Sequence, residues 1–231
     1  MDIFGQVLQD YYKGTIVSKL WLHNNYGHPE DMPVDVFFRD EPDMPELELE
    51  ALGACKGKIL DIGAGVGSHA RVLQERRAEV TALEISPIAS QIMRTRGVKK
   101  VINGDILNFS GGKFYTLLLL MNGIGLCGDL KGLRTFLAFA KTLLQPDGAL
   151  LFDSSDISYL YEDLPIPDGR YYGEISYQYE YKGQFGDWFN WLYIDAGLLS
   201  KIAEEEGWKM EMLFEDDMDQ YLVRLTPLNL S

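Results

Sequence analysis

Residues able to do chemistry concentrate in one stretch of this chain and recur at intervals after it. Asp61 is followed by glycines at 63, 65 and 67, with Ala64 between the first two. Glycines at alternate positions let the backbone turn sharply and approach a ligand closely, because no Cβ intervenes. The stretch reads as a buried strand over residues 58–62 that breaks into the glycine turn and restarts as a helix. Such a helix start offers unpaired N–H groups and a partial positive charge, which suits a nucleotide-like molecule carrying a carboxylate or phosphate. A dinucleotide site usually spaces its glycines Gly-x-Gly-x-x-Gly. Here Ser68 stands where the third of those glycines would fall, and Asp61 inside the turn would repel a pyrophosphate. An amino group or a sulfonium would welcome that charge.

At this point the chain closely resembles the class I S-adenosylmethionine (SAM) methyltransferases, whose first motif is an acidic residue, an apolar residue, then Gly-x-Gly-x-Gly. Three more segments fit in the same order. Residues 80–85 form an apolar strand ending in Glu84 and Ile85. A carboxylate there can accept both ribose hydroxyls, each bond to a charged group contributing about 1.5–3 kcal/mol. Residues 101–106 end in Asp105 and Ile106, which the resemblance places beside the adenine amino group and against the ring. Residues 117–125 are an apolar run opening into Asn122 and Gly123, where the family brings methyl donor and acceptor together. The resemblance therefore implies SAM as cofactor, held by Asp61, Gly63, Ala64, Gly65, Gly67, Glu84, Ile85, Asp105, Ile106, Asn122 and Gly123. Met121-Asn-Gly-Ile-Gly125 stands in place of the family's Asn-Pro-Pro-Tyr signature, which argues against a nucleobase amino acceptor and for a small metabolite.

These residues need a scaffold. Strands are expected at 58–62, 79–83, 100–103, 115–121, 148–153, 208–214 and 220–226, with amphipathic helices between. Leu133, Phe136, Leu137, Ala140 and Leu144 fall at helical spacing, and Gln145-Pro-Asp-Gly148 reads as a proline stop. A later helix over 196–206 has Asp195 as its candidate N-cap and Gly207 after its end. Alternating strands and helices give an α/β fold: a Rossmann-like seven-stranded, mostly parallel sheet with an antiparallel last strand and helices on both faces.

Two additions surround that core: an N-terminal helical lid over residues 1–50, and a β-hairpin insertion at about 168–194 within the domain spanning 51–231. The lid carries Tyr11, Trp21, His23, Tyr26 and His28, which read either as pocket wall or as core filler. The insertion alternates from Tyr171 to Lys182, with Tyr177 and Tyr179 on its aromatic face. Substrate contacts from Tyr11, Trp21, Tyr26, Tyr177 and Tyr179 are one reading, and sheet extension or an oligomer contact the other. A methyl acceptor that must lose a proton needs a base, for which His23, His28, Asp153 and Asp156 are candidates; His69 is expected to face solvent or the lid.

The bulk properties set limits. A chain of 231 residues can bury about three quarters of its unfolded surface. The balance of 35 acids against 21 bases, a net charge of −14, leaves no basic patch for nucleic acid or an anionic membrane. No apolar run is long enough to span a bilayer, and the start lacks a signal-peptide pattern. Cys55 and Cys127 form neither a disulfide framework nor a metal cluster and read as buried thiols. The expectation is a cytoplasmic SAM-dependent methyltransferase with a small-molecule acceptor, no metal, and a homodimer left open. A SAM-binding protein with other transfer chemistry, or none, shares every motif. A nicotinamide-dependent oxidoreductase shares only the first half.

Overall fold

The computed structural model describes residues 1–15, 18–162 and 165–228. In chain order the elements are α1 (Ile3–Tyr12), β1 (Leu20–Asn24), β2 (Glu30–Met32), α2 (Glu46–Ala54), β3 (Lys58–Ile62), α3 (Ser68–Glu75), β4 (Glu79–Glu84), α4 (Pro87–Thr95), β5 (Val101–Asn103), β6 (Phe114–Leu119), α5 (Leu130–Leu143), β7 (Leu144–Ser155), β8 (Glu174–Tyr181), β9 (Gln184–Phe185), β10 (Phe189–Leu192), α6 (Ala196–Glu205), β11 (Trp208–Glu215) and β12 (Gln220–Pro227). Seven strands make the larger sheet in the order β11-β12-β7-β6-β3-β4-β5. The pairs β4–β5 and β6–β7 are parallel, whereas β12 runs antiparallel to both β7 and β11. This is the expected mixed α/β sheet with its reversed last strand.

The chain divides into two compact units. The first comprises Met1–Met44, Asp61–Phe109 and Ser176–Phe189. Within it, α1 buries Ile3, Val7 and Leu8 with Leu20 of β1, Tyr181 of β8, and Ala89 and Ile92 of α4. The N-terminal segment and the inserted hairpin, expected as separate additions, join in one smaller sheet: β1 lies between β2 and β8, antiparallel to both. The cross-strand register sorts their side chains, since residues directly opposite share a face. Leu20, Leu22 and Asn24 lie with Tyr181, Tyr179 and Tyr177, while Trp21 and His23 lie with Glu180 and Gln178 on the other face.

The second unit comprises Pro45–Leu60, Ser110–Ile175 and Asn190–Ser231. Its interior strands are near-continuous apolar runs, Leu117–Leu119 and Leu150–Phe152, as expected of strands covered on both sides. On α5, Leu133, Phe136, Leu137, Ala140 and Leu143 form the buried stripe. The segment expected to separate α5 from its strand is folded into β7 as an irregularity. The parallel ladder jumps from Leu144 to Ala149, because Pro146 has no N–H to pair and Asp147 is left-handed at φ 61°. Asp195 caps α6 as expected, accepting from Leu198 N at 2.8 Å. It also pairs with Tyr171, whose hydroxyl donates to the carboxylate at 2.7 Å and accepts the Asp195 N–H at 2.9 Å. Asp195→Ala removes the cap and the carboxylate's bond to Tyr171, and urea unfolding is expected to register a loss of about 2 kcal/mol. Asp195→Asn, which keeps the cap, is expected to lose less than half of that.

Candidate functional site

In the first unit the glycine loop is built as the sequence requires. Gly63, Gly65 and Gly67 all have positive φ, at 70°, 54° and 84°. The two outer needs differ. A Cβ on Gly67 would stand 2.5 Å from Met93 Cγ and 2.9 Å from Val98 Cγ2, so packing alone forbids it. A Cβ on Gly63 or Gly65 would meet nothing within 4 Å, so the loop leaves open space beside those two residues. Gly63 N and Ala64 N donate to Leu83 O on β4, which ties the loop to the next strand.

Glu84, at the end of β4, lies at the centre of this arrangement. One carboxylate oxygen accepts the Gly65 N–H at 2.8 Å, and the other accepts the Ser86 N–H at 2.7 Å. Each oxygen therefore keeps a lone pair for a hydroxyl donor. Burial is the largest influence on its pKa and raises it, with Asp2 and Asp61 adding negative charge nearby. Ser86 caps α4 through its hydroxyl, which accepts from Ala89 N and donates to Asp2 Oδ2 at 2.6 Å. Asn103 of β5 donates to the carbonyls of Glu84 and Ile85, fixing the strand end from the other side. Asp2, Ser86 and Asn103 escaped the sequence reading. Ser86-Pro87 was a visible helix-start signal, whereas Asn103 gave none.

The remaining first-unit candidates are placed as follows. Asp61 is 2% exposed, and its Oδ2 is buried without a hydrogen-bond partner. Burial pushes its carboxyl up to about 6, with His69 opposing the rise. His69 itself is buried, which removes the solvent-facing half of its expectation, and the first turn of α3 lies against Asp61, whose carboxylate accepts a backbone bond from Ala70. Ile85 is 71% exposed, and Ile106 is buried. Asp105 is exposed and caps the short turn Ile106–Asn108, accepting from Leu107 N and Asn108 Nδ2. His23 Nε2 is 2.6 Å from Glu180 Oε2, with the Phe185 ring beside it. Tyr26 donates to Glu30 and lies 3.4 Å, oxygen to oxygen, from the Tyr177 hydroxyl. Tyr179 stacks on Phe4, and Tyr11 packs against Phe38. The structure thus brings Tyr26 together with Tyr177, but sets Trp21 and His23 on the opposite face from Tyr177 and Tyr179. His28 is exposed, and its carbonyl accepts from Asn24.

In the second unit Asn122 and Asp153 come together. Asn122 N donates to Asp153 Oδ2 at 2.8 Å, and Gln220 Nε2 donates to the same oxygen at 3.2 Å. Gly123 is buried, with its Cβ position 3.0 Å from Leu119 Cβ. Two residues along, Gly125 is pressed against Trp191, whose Nε1 would stand 2.0 Å from an added Cβ. Among the described residues no group of three or more His, Cys, Asp or Glu side chains is arranged to hold a metal ion, and no helix is long and apolar enough to cross a membrane.

A nucleoside with a cationic amino-acid tail fits what the first unit offers: open space beside two glycines, a buried carboxylate with spare acceptor capacity, and an unpartnered buried carboxylate oxygen. Comparison with known proteins agrees. A family model described as a methyltransferase domain matches residues 39–212. The crystal structure of a SAM-dependent methyltransferase from Bacteroides fragilis, in complex with S-adenosyl-L-homocysteine, is 40% identical with a TM-score of 0.90, covering 98% of this chain and 95% of that one. The CcbJ methyltransferase from Streptomyces caelestis is 14% identical with a TM-score of 0.62, over 83% of this chain and 92% of that one, a likeness of fold. Demethylmenaquinone methyltransferase of Tropheryma whipplei (strain Twist) is 32% identical over 107 residues. That match covers 43% of each chain, so this chain spans less than half the length of the curated relatives it matches.

The raised pKa of Asp61 has a consequence for stability. A carboxyl that holds its proton more tightly when folded, at about 6 against 3.8, favours folding at low pH. That contribution is lost as pH rises through 6, at a cost of roughly 3 kcal/mol. Asp61→Asn is therefore expected to raise the stability of the ligand-free protein by about 1–3 kcal/mol at pH 8, with the gain vanishing near pH 4. Urea unfolding across that range checks it; a gain independent of pH would contradict it.

Proposed function

The chain belongs to the S-adenosylmethionine-dependent methyltransferases, and from that premise we propose that it transfers a methyl group to a small-molecule acceptor by in-line displacement. The observation that carries the reading is the Glu84 carboxylate, buried at a strand end with one backbone N–H on each oxygen and one acceptor site left on each. The bound cofactor supplies an electrophilic methyl group on a sulfonium.

The chain's own residues do the rest. Glu84 accepts the two ribose hydroxyls. Gly63, Ala64, Gly65 and Gly67 admit the cofactor to the backbone, and Asp61 offers negative charge to its cationic end. Asp105 accepts from the adenine amino group through lone pairs its capping bonds leave unused, and Ile85 and Ile106 give the ring apolar surface. Asn122 and Gly123 form the turn that meets the acceptor. Positioning of this kind can supply up to about 7–11 kcal/mol of barrier lowering.

His23, whose Nε2 lies 2.6 Å from Glu180 Oε2, is the strongest candidate base, because the carboxylate orients its ring. His28 remains a second candidate, with no orienting carboxylate. Of the aromatic candidates, Tyr26 and Tyr177, whose hydroxyl oxygens lie 3.4 Å apart, are drawn on together for acceptor contacts, whereas Trp21 lies on the other face and Tyr11 and Tyr179 pack on Phe38 and Phe4. A small acceptor is supported by the net charge of −14, which disfavours polyanions, and by the demethylmenaquinone acceptor named for the curated relatives. Residues 1–50 act as a lid over the cofactor in this reading, and the cytoplasm, where SAM is made and used, is the proposed compartment.

Thermal melting with SAM, S-adenosylhomocysteine and NADH tests the reading. At a hundred times its dissociation constant a ligand adds about 2.7 kcal/mol, which is roughly 5–10 °C for a chain of this size. A rise with SAM and its product, absent with NADH and lost in Glu84→Ala, is the expected result. It is followed by a screen of small phenols, amines and acids for methyl transfer. SAM binding without transfer to any of them would favour a binding role, and no rise at all would contradict the proposal.

A further inference from the structure

Met121 and Asn122 follow the end of β6 as two consecutive non-glycine residues in the left-handed region, at φ 63° and 54°. L-residues visit that region singly and at a cost, and such strain persists only where the surroundings over-determine it. The surroundings here are specific. Asp153 of β7 accepts the Asn122 N–H at 2.8 Å and the Gln220 side-chain N–H at 3.2 Å, both on Oδ2. Ser155, two residues along the same strand and so on the same face, donates its hydroxyl to Asn122 Oδ1 at 3.0 Å. The backbone and the side chain of Asn122 are thus gripped from one strand, and the amide oxygen is occupied. The amide NH2 is left as the end of the side chain that the turn presents.

Asp153 is an unusual tenant of its position. It is 0% exposed, stands opposite Leu222 in register, and follows Leu151 and Phe152 in an apolar strand. Its second oxygen, Oδ1, is buried without a hydrogen-bond partner. Burial pushes its carboxyl up to about 6, and the charge of Glu48 on α2 adds to the rise. An enclosed carboxylate of this kind cannot touch the proton of an acceptor, which a general base must do. It can hold a backbone N–H in either protonation state, more strongly when ionised, because a protonated carboxyl still retains a carbonyl oxygen.

We propose that Asp153 is a positioning residue: its buried carboxyl clamps the left-handed Met121-Asn122 turn so that the Asn122 amide NH2 meets the methyl acceptor, and it is not the proton-accepting base. The inference rests on the methyltransferase reading for its function, and on the turn geometry alone for the clamp. It amends the sequence expectation for Asp153, which grouped it with His23 and His28 as a base. It also explains why a carboxylate is retained where an apolar side chain would pack more cheaply.

The test compares wild type, Asp153→Asn and Asp153→Ala. Asn at 153 keeps an oxygen for the Asn122 N–H and can turn its NH2 toward the site of the unpartnered oxygen, whereas Ala removes the clamp. Amide NMR follows the Asn122 N–H directly, calorimetry gives the affinity for S-adenosylhomocysteine, and kcat and KM are read with the acceptor from the screen above. Asp153→Asn is expected to preserve the Asn122 amide shift and most of kcat, with no limb removed from the pH profile. Asp153→Ala is expected to move that shift and to lower kcat about 100-fold, with S-adenosylhomocysteine affinity within about threefold of wild type. Replacing Met121 by Gly in the Asp153→Ala background is expected to recover part of kcat, since glycine tolerates the left-handed turn without a clamp. An Asp153→Asn protein as inactive as Asp153→Ala would make the carboxylate a base and overturn the proposal. So would an Asp153→Ala protein with undiminished kcat, or an unmoved Asn122 amide. If wild type binds no SAM and methylates nothing, the methyltransferase reading fails, while the Asn122 amide still decides whether the clamp exists.

Discussion

One carboxylate ties strand, loop and helix together in the first unit of this protein. Glu84 receives the N–H of Gly65 from the glycine loop and that of Ser86 from the start of α4, so that strand, loop and helix converge on two oxygens. The Ser86 hydroxyl extends the junction to Asp2 at the start of α1. A buried charge is tolerated only when its lone pairs are met. The protein meets half of them with its own backbone and leaves one acceptor site on each oxygen.

Buried acids recur at strand ends. Asp61 on β3, Glu84 on β4 and Asp153 on β7 are each almost wholly enclosed, and each carries a pKa raised chiefly by burial. Their costs are offset in different ways. Glu84 is solvated by backbone N–H groups. Asp153 spends its bonds on a strained turn. Asp61 retains an unpartnered oxygen. Free energy that a purely apolar core would keep is given up at all three positions, a breach of local rules of the kind that functional sites show.

Much of this was legible in the sequence, for identifiable reasons. The interior core strands are near-continuous apolar runs, and all seven strands of the larger sheet were expected within a few residues of where they lie. The Asp195 cap and the apolar stripe on α5 follow from short-range pattern. Glycine spacing and acidic strand ends pointed to the cofactor. What pattern could not give is long-range pairing. Nothing local says that β1 would pair with β8, a partner more than 150 residues away, and that register decides which face His23 takes. The burial of His69 and the grip of Asp153 on Asn122 likewise depend on neighbours distant in sequence.

The central claim is that Glu84 both shapes the glycine loop and binds the ribose. Its most direct test is calorimetric titration of wild type and Glu84→Ala with S-adenosylhomocysteine and with an analogue lacking both ribose hydroxyls. Wild type is predicted to prefer the natural compound by about 100-fold or more, as two bonds of about 1.5–3 kcal/mol each allow, and the variant to bind the two within about threefold of each other. An equal preference in both proteins would contradict the account.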